Sequence, residues 1–97
     1  MADQPQQQIQ IRIPEDVLKG RYANIVHITT TREEFIFDFG MLHPQQGGII
    51  SDRIIMNPAH AKRLIDVLGR LMQDYEKSHG KVTAAETPVP EIGFKTA

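Results

Sequence analysis

Four histidines, His27, His43, His60 and His79, are the side chains of this chain best suited to hold a metal ion. A helical zinc site needs two imidazoles one turn apart with an acidic companion, and no pair here has that spacing. Paired carboxylates suggest acid–base work, and Glu33 with Glu34, or Asp38 with Asp52, supply candidates. Adjacent residues on a turn do not converge, and Asp38 is placed to face Arg53 across neighbouring strands. Ser51 and Ser78 have neither a nucleophile elbow nor a nearby base. The "QQGG" run at Gln45–Gly48 is too short and wrongly placed to cradle a phosphate. The expectation is no catalytic residue, no metal ligand and no cofactor, hence no enzyme.

Cations offer a second chemistry. Lys62 and Arg63 lie about one turn into a helix whose first N–H groups attract anions, and Arg53, in the strand before it, is expected near them at the strand's end. These three are the candidate anion-binding set, and they support a nucleic-acid-associated regulator as the alternative reading. Three features weigh against it. The formal net charge is −1 and the pI about 6.4, so nothing draws polyanions in general. Cations near a helix start are common on solvated faces and oppose the dipole only mildly. No aromatics are interleaved with the charges, as single-strand binders have.

Such groups act only where the backbone holds them. The opening "MADQPQQQ" is a polar arm. "IQIRI" alternates, with Ile9, Ile11 and Ile13 on one side, and predicts a half-buried strand ended by Pro14. "PEDVLKG" is a connection with room for one helical turn, closed by Gly20. "YANIVHITT" predicts a second strand and "TREE" a turn. In "FIFDFGM" Phe35, Phe37, Phe39 and Met41 share one face, while Ile36 and Asp38 take the other. "LHPQQGG" reads as a loop, and "IISDRIIM" as a fourth strand interrupted by Ser51, Asp52 and Arg53.

"NPAHAKRLIDVLGRLMQDYEKSHG" is the best-organised stretch. Asn57 is a preferred N-cap, Pro58 suits the first helical position, and Gly80 is the expected C′ residue. Ala61, Leu64, Ile65, Leu68, Leu71, Met72 and Tyr75 form one apolar stripe at helical spacing. Gly69 interrupts the helix at about 1 kcal/mol relative to alanine. It is either tolerated at an exposed position or suited to close helix–helix approach.

The fold class predicted is α+β: a four-stranded, mostly antiparallel sheet followed by one long C-terminal helix packed on one face. Residues 1–8 make a flexible arm, 9–80 a single domain and 81–97 a flexible tail. A helix of about 22 residues is roughly 33 Å long, enough to cross the sheet, with the phenylalanine row as its floor. Ile36 and Ile55 then lie on an uncovered aliphatic face, which usually means a partner. In the tail, Pro88 and Pro90 hold "VPEIGF" extended, so Val89, Ile92 and Phe94 join the candidate partner-binding residues.

Ninety-seven residues without a cysteine give only a thin core, and self-association is the natural remedy. The absence of cysteine fits a reducing cytoplasm. No apolar run is long enough to cross a bilayer, so no membrane is expected as a partner.

"GRYANIVHITTTREEFIFDFG" and "RIIMNPAHAKRLIDVLGRLMQDYEKSHG" together resemble the bacterial domain of unknown function 3467 family. The "YAN" opening of a strand, "EFIFDF" and the "NPAHAKRL" helix start carry the likeness, which spans about Pro14 to Gly80. Ala23 stands where the family is expected to have a serine, and "LHPQQGG" departs from it. The family implies no activity and no functional residue. The order of four strands then a long helix is also similar to that of the export chaperone SecB, by topology alone. Together these features lead to one expectation: a small cytoplasmic protein-binding module, working as a homo-oligomer and serving as an adaptor or a SecB-like chaperone.

Overall fold

The computed structural model describes residues 8–86. A one-turn helix α1 (Glu15–Leu18) precedes three strands, β1 (Ile25–Thr30), β2 (Phe35–His43) and β3 (Gly47–Met56), and then the long helix α2 (Pro58–His79). The strands form one antiparallel sheet in the order β1-β2-β3. The class is α+β, as expected, with two corrections.

The first concerns strand number, which among the described residues is three rather than four. Residues 8–14 carry no regular structure, and Ile9, Ile11 and Ile13 are exposed. Alternation sets which way side chains would point, but a strand also needs a neighbour to receive its N–H and C=O groups. Among the described residues, none pairs with this segment.

The second concerns the helix, which does not lie on the sheet. Packing between elements is dominated by the β1–β2 and β2–β3 pairs, and α2 shares no extensive contact with either. Its predicted caps are present. Asn57 Oδ1 accepts from the His60 N–H at 2.9 Å, and Gly80, at φ +91°, donates its N–H to the Glu76 carbonyl. Capping fixes the direction in which α2 leaves β3, and Asn57 alone separates the two elements. Ala61 is buried, but the stripe beyond it remains in water.

Both hairpins are tight. In the first, the Thr31 N–H donates to the Glu34 carbonyl and the Glu34 N–H to Thr31 Oγ1. In the second, the Gln46 N–H donates to the His43 carbonyl, and Gly47 supplies the left-handed residue at φ +81°. Most of the segment that composition reads as a loop is therefore strand. Phe39 pairs with Asp52 and Gly40 with Ile50, which leaves Ser51 as the extra residue of a β-bulge. That bulge is the interruption seen in "IISDRIIM".

Candidate functional site

Directly paired residues of an antiparallel sheet share a face, so the register assigns every side chain. One face carries Phe35, Phe37, Phe39 and Met41 of β2, flanked by Val26 and Ile28 of β1 and by Ile49, Ile54 and Met56 of β3. Successive phenylalanine rings stack with centroids 6.4 Å apart. Phe37 is buried between its neighbours, but Val26, Ile28 and Ile54 are each nearly half exposed, and Ile49 is more so. This face, assigned from sequence as the helix's floor, is open.

The opposite face is mixed. His27, Asp38 and Arg53 lie in register across the three strands. The Arg53 guanidinium donates to both Asp38 oxygens, at 2.7 and 3.0 Å, and the Asp38 side chain is nearly buried. Those hydrogen bonds hold the Asp38 carboxyl below its ordinary value. Burial pushes it up, and the charges of Arg53 and then His27 lower it further. Ile36 and Ile55 form one cross-strand pair beside this ladder, Ile36 partly covered and Ile55 half exposed. Val89, Ile92 and Phe94 lie outside the described residues.

The remaining chemical candidates are dispersed. Asp52 faces the phenylalanine side, pairs with Arg21 at 3.4 Å, and so cannot act with Asp38. Glu33 and Glu34 sit on the first hairpin turn. Among the described residues, no three His, Asp or Glu groups converge as metal ligands would. His43 ends β2, His60 lies in the first turn of α2, and His79 stacks on Tyr75 with ring centroids 4.5 Å apart. Ser51 Oγ donates to the Asp52 carboxylate at 2.7 Å, the same oxygen that pairs with Arg21. Of the three anion-binding candidates, Arg53 is committed to Asp38. Lys62 and Arg63 make no ion pair with any described residue.

Two residues important to this geometry were not singled out by sequence reading. Asn24 acts as an extra rung of the β1–β2 ladder. Its Nδ2 donates to the Leu42 carbonyl at 3.0 Å, its Oδ1 accepts the Leu42 N–H at 2.8 Å, and its backbone N–H reaches the Gly40 carbonyl. Gly40 faces the bulge, where a Cβ would stand 2.1 Å from the Ile49 carbonyl oxygen. The "YAN" motif was the available signal for the first; nothing in the sequence marks the second.

The second open surface is α2. Leu64, Ile65, Leu68, Leu71, Met72 and Tyr75 are between 40% and 64% exposed. At Gly69 an added Cβ would meet nothing within 4 Å, so no contact with another described residue requires a glycine.

The family model described as "Protein of unknown function (DUF3467)" matches residues 1–84, and the chain belongs to that family. Neither the comparison with curated proteins nor that with solved structures finds a match. The likeness to SecB is not shown by them, and three strands in place of four remove the element order on which it stood.

Proposed function

We propose that this chain is a small non-enzymatic protein-binding module that acts as a homo-oligomer, as an adaptor or as a chaperone that holds unfolded client chains. One observation carries the reading: the chain displays two apolar surfaces, the phenylalanine face and the α2 stripe, and covers neither with the other. Monomeric proteins seldom expose contiguous apolar patches beyond ~300–600 Å². One surface serves assembly, and the other is free for a partner's apolar side chains. A cytoplasmic setting, which the lack of cysteine fits, belongs to this proposal.

The test is to dilute a chemically unfolded protein into buffer with and without the full chain and to follow its aggregation by turbidity. Suppression by the wild type and its loss in an Ile28→Lys, Ile54→Lys double variant support the reading. No suppression by the wild type argues against client holding. A salt-dependent gel shift with DNA, abolished by neutralising Lys62 and Arg63, replaces the reading with the regulator alternative.

A further inference from the structure

We propose that α2 packs antiparallel against α2 of a second copy of this chain, about a two-fold axis beside Leu68. The inference rests on the homo-oligomer reading and names the surface that reading leaves unspecified.

The stripe is the first argument. Leu64 and Met72 lie four residues either side of Leu68, Ile65 and Leu71 three, and Ala61 and Tyr75 seven. The stripe therefore reads the same in both directions from its centre. A two-fold interface has to be self-complementary, with residue i meeting j and j meeting i. An antiparallel pair centred on Leu68 meets that condition. Ile65 comes to face the partner's Met72 on one side of the seam, and Leu64 comes to face the partner's Leu71 on the other. Ala61 is buried within its own chain, and the partner's Tyr75 comes to rest against that covered end.

Charge gives the second argument. Helical spacing from Leu68 sets Lys62 on one side of the seam's N-terminal half, with Glu76 on that same side and Asp74 on the other side of its C-terminal half, while Arg63 lies further round. No acid lies in the first turn, so Lys62 and Arg63 oppose their own helix dipole. An antiparallel partner sets its Glu76 on the side of Lys62, and the two dipoles also oppose favourably. A parallel partner would set like against like. Lys77, which breaks the segregation, lies on the side of α2 opposite the stripe, and Asp66 and Arg70 also point away from the seam.

Area is the third. The exposed stripe amounts to on the order of 500 Å² of apolar surface, and the stems of the flanking residues bring it towards the ~800 Å² per partner of a stable interface. The sheet's phenylalanine face takes no part in the seam.

The chain has no cysteine, so single introduced thiols report proximity cleanly. Full-length Leu68→Cys, Tyr75→Cys, Leu64→Cys and Leu71→Cys are each oxidised alone, and Leu64→Cys is also oxidised in a mixture with Leu71→Cys. Linked species are read on non-reducing gels, with the mass of each reduced variant and of the wild type taken by light scattering. The expected result is that Leu68→Cys links to itself, Tyr75→Cys does not, and the mixture links although neither Leu64→Cys nor Leu71→Cys links alone. Self-linking of Tyr75→Cys means parallel helices and overturns the proposal. No linking at any of these positions, with an oligomeric mass retained, places assembly elsewhere; this overturns the proposal and leaves the homo-oligomer reading standing. A one-chain mass for the wild type overturns both.

Discussion

Asp38 and Arg53 stand directly opposite each other in β2 and β3, the guanidinium donating to both carboxylate oxygens. Because these hydrogen bonds lower the Asp38 pKa, the pair stabilises the fold fully above the unfolded carboxylate value of about 3.9. That contribution is lost as pH falls through the lower folded value. The urea midpoint of the wild type should therefore fall on acidification below about pH 4, and Asp38→Asn should flatten part of that fall while lowering the midpoint at pH 7. An unchanged acid limb in Asp38→Asn would show that the pair is not formed in solution.

Gly40 is required by the bulge opposite it. An alanine Cβ would stand 2.1 Å from the Ile49 carbonyl oxygen, far inside van der Waals contact, and backbone has to move. Gly40→Ala should cost about 1–3 kcal/mol, as overpacking does, read as a lower urea midpoint. Gly69→Ala, with open space among the described residues, is the control for folding of the sheet. Wild-type stability of Gly40→Ala would contradict the register around Ser51.

The Asn24 amide replaces a strand residue opposite Leu42. Asn24→Ala removes both hydrogen bonds at about 0.5–1.5 kcal/mol each. Amide exchange of Leu42 should accelerate while that of Phe37, in mid-strand, changes only by the global loss. Equal acceleration at both positions would mean that Asn24 acts on the whole fold and not on this end of the ladder.

How much of this was legible follows from the range of each interaction. The caps of α2 depend on Asn57, Pro58 and Gly80, all local, and they were readable. So was the phenylalanine face, which needs only period two, and the Asp38–Arg53 pairing, which needs neighbouring strands. Ile9–Ile13 has the same period, yet whether a neighbour accepts it is a tertiary matter that no local pattern encodes. The helix posed the same difficulty. Its stripe announces burial without saying against what, and the sheet beneath it was assumed because it was the nearest apolar surface in the chain. Asn24 and Gly40 were missed because a side-chain amide acting as backbone, and a close approach across a bulge, become visible only once register is known.

The most direct test of the central claim, self-association through α2, is the mass of the full chain by multi-angle light scattering at micromolar concentration. The wild type should run at twice the 11.0 kDa of one chain, and Leu68→Lys, which sets two cations together at the two-fold axis, should run at the mass of one chain with its helical circular-dichroism signal reduced. A wild type at 11.0 kDa, or a Leu68→Lys variant that stays dimeric, would contradict it.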